Sequence, residues 1–98
     1  MRVRHASKTL ERIERDPGFT GGFSSAIVRS FRMRLQLIRS AANELDFYAL
    51  KSLHFEKLKG KRAHQRWMRL NQQIRLNLEL ERAEDGSTVV VIAIEDYH

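Results

Sequence analysis

One change of rhythm constrains this chain more than any other feature. From Ile74 to Arg82 apolar and polar residues alternate, with Ile74, Leu76, Leu78 and Leu80 set against Arg75, Asn77, Glu79 and Glu81. Successive side chains of a strand point to opposite faces, so this pattern yields one apolar face only in extended chain. Glu84-Asp85-Gly86-Ser87 follows, and Asp-Gly supplies a tight hairpin turn at little cost. The next stretch, Thr88 to Ile94, contains the unbroken run Val89-Val90-Val91-Ile92-Ala93-Ile94. Such a strand is expected to be covered on both faces. Upstream, Leu53 to Leu58 and Trp67 to Asn71 read as two further strands around a basic turn, Lys59-Gly60-Lys61-Arg62.

The N-terminal half runs on a different period. Residues 2–6 read as a short strand at the sheet edge. Ser7 is placed to cap a helix to about Arg15 with Leu10 and Ile13 inward, and Asp16-Pro17-Gly18 ends it. A longer helix is expected from about Ser24 to Ala42. Its Ile27, Phe31, Leu35, Ile38 and Ala42 recur at steps of three and four, and Arg29, Arg32, Gln36 and Arg39 fall on another face. Two helices followed by consecutive strands predict an α+β domain spanning residues 1–98, with both helices packed on one face of an antiparallel sheet. No repeat or linker divides it, and a chain of 98 residues can bury one modest core.

Several chemistries are disfavoured at once. There is no cysteine, hence no disulfide and no thiolate metal site. His5, His54 and His64 lack metal-ligand spacing, so neither a metal nor another cofactor is expected. No apolar run is long enough for a membrane span, and the first residues lack the apolar core of a signal peptide, so a cytoplasmic location is expected.

Charge points elsewhere. The formal net charge is +6. Lys57, Lys59, Lys61, Arg62, Arg66, Arg69 and Arg75 stand against one acid, Glu56, so this window carries the whole excess. A concentrated basic patch attracts polyanions, nucleic acid above all. Strand alternation then sorts the side chains. Glu56, Trp67, Arg69, Arg75 and Asn77 should meet on the face away from the helices. That set suits RNA cleavage: a carboxylate to take the 2′-hydroxyl proton, guanidinium groups to stabilise the phosphorane, an indole to stack on a base. Tyr97 and His98 directly follow the apolar strand, and His98 titrates in the range useful for proton transfer. Cross-strand ion pairs of Glu56 with Arg69 or Arg75 would explain the same face without chemistry.

Three segments resemble a known family. Leu58-Lys59-Gly60-Lys61-Arg62 resembles the basic turn of RelE/ParE-type toxins. Arg69-Leu70-Asn71-Gln72-Gln73-Ile74-Arg75-Leu76 resembles their double-arginine segment, and Glu95-Asp96-Tyr97-His98 resembles the terminus of HigB-type plasmid-maintenance killer proteins. The resemblance covers residues 50–98 in detail. It departs from the family at Arg66, where an aromatic is usual and Trp67 stands next to it, and at Ile74, which replaces an aromatic. It implies a microbial-RNase-like fold and ribosome-dependent cleavage of messenger RNA. It also implies inhibition by a cognate antitoxin, of a kind that usually carries a helix-turn-helix DNA-binding domain. By position it implies Glu56, Arg75, Tyr97 and His98 as catalytic residues. Lys57, Lys59, Lys61, Arg62, Trp67 and Arg69 are the RNA-binding candidates. Two other functions fit the same residues: a ParE-like gyrase poison without nuclease activity, and a non-enzymatic RNA-binding module.

Overall fold

The computed structural model describes residues 1–84 and 86–96. Its elements in chain order are β1 (Arg2–His5), α1 (Lys8–Arg15), α2 (Ser25–Ser40), α3 (Leu45–Ala49), β2 (Glu56–Lys57), β3 (Gln65–Arg69), β4 (Ile74–Ala83) and β5 (Gly86–Asp96), with short 3-10 turns at Lys51–Leu53 and Gly60–Arg62. The five strands form one sheet in the order β1-β5-β4-β3-β2.

Local chemistry explains the helix limits. Ser7 and Ser24 sit at the two N-caps, each accepting a hydrogen bond from the backbone N–H three residues on. Leu10 and Ile13 of α1, with Ile27, Val28, Phe31, Leu35 and Ile38 of α2, pack against Met68, Leu76, Leu78, Val89 and Val91 of the sheet. The connection between α1 and α2 is held from inside. Arg32 donates to the carbonyls of Ile13 at 2.8 Å, Asp16 at 2.9 Å and Phe19 at 3.2 Å. Gly21 lies at φ 61°, and a Cβ there would come within 2.8 Å of Ile13 Cδ1.

The α+β class and the two helices on one face hold, with four departures. β1 lies at the sheet edge, but it runs parallel to β5, Val3 opposite Val89, so the sheet is mixed. A third helix, α3, follows α2. Its five residues are too few to show a period, and Phe47 anchors it against Phe55, ring centroids 5.2 Å apart. The strand expected over residues 53–58 shrinks to Glu56–Lys57, because Leu53 closes a 3-10 turn and His54 takes the left-handed conformation at φ 48°. Ala42 is exposed, since α2 ends at Ser40.

The two long central strands carry a fifth feature that no pattern forecast. Asn77 lies opposite Ala93, and Leu78 opposite Val91, so Ile92 is an extra residue on β5. This bulge changes the phase of the strand. Before it, Val89 and Val91 face the helices; after it, Ile94 does so, and Glu95 turns to the opposite face. The apolar run is therefore buried on both faces only at Val89–Val91, and Ile92, Ala93 and Ile94 are partly exposed.

Candidate nucleic-acid interface

The sheet face away from the helices is built by register. Glu56 lies opposite Trp67, Trp67 opposite Asn77, Arg69 opposite Arg75, and Arg75 opposite Glu95. Directly opposed residues share a face. So β2, β3, β4 and β5 together bring Glu56, Trp67, Arg69, Arg75 and Asn77 to one surface, as alternation required, and they add Glu95.

The centre of this surface is a hydrogen-bonded network. Asn77 is 1% exposed, and its Nδ2 donates to Gln65 Oε1 at 2.9 Å and to Glu95 Oε1 at 2.7 Å. Arg62, reaching up from the basic turn, donates from Nε to Gln65 Oε1 at 2.9 Å and from Nη2 to Glu95 Oε1 at 2.7 Å. Its guanidinium carbon stands 5.8 Å from the centroid of the Trp67 ring, within range of a cation–π contact. Partial burial would raise the Glu95 pKa, but the hydrogen bonds from Arg62 and Asn77 and the Arg62 charge outweigh it and hold the carboxyl below its ordinary value. Glu95 is therefore an anion at neutral pH.

Arg75 is 8% exposed, more buried than its place on a polar face suggested. Its Nη1 donates to the carbonyls of Asn71 at 3.0 Å and Gln72 at 3.3 Å, tying the β3–β4 turn to the site. Asn71 shapes that turn from within by accepting from the N–H groups of Gln73 and Ile74. Arg69 is steered by two layers. Arg34 and Ser30 of α2 donate to the Arg69 and Leu70 carbonyls at 3.0 and 2.7 Å, fixing the end of β3. The Arg69 Nη1 lies 3.1 Å from His54 Nε2. The strained His54 backbone thus delivers an imidazole to this arginine.

The other expected residues distribute unevenly. Glu56 is exposed at the margin, while Arg69 turns to His54 and Arg75 to the turn carbonyls. Lys59 and Lys61 are exposed around the basic turn. Lys57 lies opposite Arg66, so both fall on the helix side of the sheet, where Arg66 approaches Glu44 at 3.7 Å. Tyr97 and His98 lie outside the described residues. The basic face expected on α2 is largely occupied in holding the fold: Arg32 serves the α1–α2 connection, and Arg39 makes a two-pronged ion pair with Glu14 at 2.8 and 2.9 Å.

Sequence reasoning missed Gln65 and Glu95 as members of this network. The alternation of β3 could have placed Gln65 beside Trp67 and Arg69. Nothing in the sequence marks the bulge that turns Glu95 inward to them. Chemically the assembly offers anchored cations and an indole on a polar sheet face, with a carboxylate, Glu56, outside the buried network. Such a surface can hold a phosphate backbone and stack a base.

No protein-family model matches the sequence, and no curated protein matches it. Among solved structures, the fold is similar to a YoeB/ParE toxin from Agrobacterium tumefaciens, with a TM-score of 0.65 and 18% identity over 100% of both chains. It is also similar to a chain of the RelBE2 toxin–antitoxin complex from Mycobacterium tuberculosis, with a TM-score of 0.50 and 18% identity over 99% of this chain and 96% of that one. The fold is that of these toxin structures.

Proposed function

We propose that this chain is the toxin of a toxin–antitoxin pair, an endoribonuclease that cleaves messenger RNA on the ribosome and so stops translation. The observation that carries the proposal is the convergence of Arg62, Arg69, Arg75 and Trp67 on one sheet face beside a carboxylate margin. The toxin-type fold supports it, as does the resemblance of residues 50–98 to HigB-type proteins.

In this mechanism RNA lies across the open face with a base against Trp67. Glu56 takes the proton from the attacking 2′-hydroxyl. The oxygen then attacks the adjacent phosphorus, and the bond to the leaving 5′-oxygen breaks. Arg75 and Arg69 neutralise the charge that develops on the phosphorane, an effect of the kind that contributes about 3–4 kcal/mol when a preorganised donor is removed. His98, with Tyr97 beside it, protonates the leaving oxygen. Lys59 and Lys61, exposed on the turn, supply backbone attraction at longer range. Lys57, on the other side of the sheet, stands outside this RNA-facing surface. A cognate antitoxin restrains the activity, in the manner that the RelBE2 complex pairs a toxin with its antitoxin.

The test is inducible expression followed by mapping of messenger RNA 5′ ends, with purified programmed ribosomes as the in vitro counterpart. New ends within translated codons, absent when Arg75 is replaced, are expected. Growth arrest with intact messenger RNA and relaxed or broken DNA would instead indicate a gyrase poison. Normal growth with folded protein would leave only RNA binding.

A further inference from the structure

Two carboxylates join the network on the open face: Glu79 accepts from Gln65 at 3.3 Å and lies beside His64, while Glu95 takes the Arg62 guanidinium, and the mechanism above gives Glu95 no task. Its geometry is nevertheless specific. Oε1 accepts from Arg62 on one side and Asn77 on the other, both at 2.7 Å. The Asn77 amide cannot turn over without setting its oxygen against two acceptors, Gln65 Oε1 and Glu95 Oε1, so the network has one orientation. Held below its ordinary pKa, Glu95 is a poor base. It also places negative charge where RNA phosphate must approach, which opposes binding. A group that weakens binding and cannot readily take a proton has to act through a neighbour.

That neighbour is Arg62. With Nε bonded to Gln65 and Nη2 to Glu95, two of the three guanidinium nitrogens are anchored, and Nη1 has no partner among the described residues. The side chain remains 43% exposed despite both anchors, so the third nitrogen is open to a ligand. An arginine on a 3-10 turn would otherwise sample many rotamers; here it is held against the only tryptophan of the chain.

We infer that Glu95 is a positioning residue for the proposed nuclease: with Gln65 it fixes the Arg62 guanidinium beside Trp67, so that Nη1 meets the phosphate next to a base stacked on the indole. The inference rests on the nuclease proposal for its cleavage readout, but its structural half can be tested without cleavage. Preorganisation of this kind speeds the chemical step, and its gain in ground-state attraction is offset by the repulsion between the Glu95 carboxylate and the phosphate.

The experiment compares wild type with Glu95→Gln, Arg62→Ala and the double variant. In single-turnover cleavage of programmed ribosomes, Glu95→Gln should lower the rate about tenfold to a hundredfold. Its affinity for hexa-adenylate, read by quenching of Trp67 fluorescence, should hold or rise. In the Arg62→Ala background the Glu95 substitution should have no further effect on rate. An unchanged rate in Glu95→Gln, equal losses of rate and affinity, or additive losses in the double variant would each overturn the assignment.

A second readout uses the free protein. Glu95→Gln and Arg62→Ala should shift Trp67 emission alike, and the double variant no further, with far-ultraviolet circular dichroism unchanged. Emission insensitive to Glu95→Gln would overturn the assignment even where no cleavage occurs. If wild type cleaves nothing but the emission shifts are shared, the nuclease proposal fails and the Glu95–Arg62 coupling stands.

Discussion

Arg75→Ala separates chemistry from folding, because this side chain belongs to both. Its Nη1 donates to two carbonyls of the β3–β4 turn, and the residue is 8% exposed. A hydrogen bond with one charged partner contributes about 1.5–3 kcal/mol. Asn71 and Gln72 are exposed, so water can re-solvate their carbonyls after truncation. Two such bonds would give about 3–6 kcal/mol, and re-solvation brings the loss below that range, to about 2–3 kcal/mol. In a chain of 98 residues that lowers the melting temperature by about 10–20 °C. A domain of ordinary stability, about 5–15 kcal/mol, stays more than nine-tenths folded at 20 °C after such a loss. Unfolding then accounts for less than a twofold drop in activity, whereas removal of a transition-state cation costs about a hundred- to thousandfold. The assay is single-turnover cleavage of a programmed ribosome at 20 °C, with thermal and urea unfolding of the same preparation. Wild-type cleavage by folded Arg75→Ala would refute the catalytic role. A melting temperature within 2–3 °C of wild type, about half a kcal/mol, would refute the structural one.

Other outcomes follow from the same structure. Lys59→Ala with Lys61→Ala should weaken oligoribonucleotide binding and flatten its salt dependence by about 0.7 for each phosphate that the protein no longer neutralises, measured by fluorescence titration from 50 to 300 mM salt; an unchanged slope removes the basic turn from the interface. Gly21→Ala should cost about 1–3 kcal/mol in urea unfolding, since the residue sits at φ 61° and the new Cβ meets Ile13; a neutral effect would mean that Ile13 yields without loss. The His5 ring, 3.0 Å from Glu14 Oε1, has its pKa lowered by burial, a shift that Glu14 and Glu11 oppose and Arg39 and Arg15 reinforce. The unfolded chain therefore takes up the proton first. This contribution to stability is complete above pH 6.5 and is lost as pH falls below it. Urea midpoints from pH 8 to pH 5 should fall less steeply in His5→Gln than in wild type, and parallel curves would contradict this.

Much of this architecture is legible in the chain because the relevant forces are local. Ser7 and Ser24 cap helices, Leu10 and Ile13 must share a face, and the alternation of residues 74–82 sorts core from cleft. That sorting held even where the strand did not form: Leu53 and Phe55 are buried, and His54 and Glu56 are exposed. What escaped depends on partners distant in sequence. The direction of β1 is set by the edge of β5 that it meets. The duties of Arg32 and Arg39 are set by carbonyls and a carboxylate on α1 and its following loop, and an arginine pattern alone cannot tell such internal anchoring from an RNA-facing surface. The short α3 has no period to detect. Its place is fixed by Phe47 and by Glu44, which pairs with Arg82 at 2.8 Å.

The extra residue at Ile92 makes β5 a strand with two parities. Even and odd positions exchange sides at that point. Removing Ile92, with the rest of the ladder kept, would close the bulge and leave Ile94 opposite Leu76 and Glu95 opposite Arg75, on the faces they hold now. The strand thus carries one spare residue, and a single-codon deletion at that point costs local twist rather than an inversion of its final segment. Related chains can therefore differ by one residue at this point and still present the same side chains beside Asn77, and alignments across this strand are best anchored on the pairs that flank the bulge.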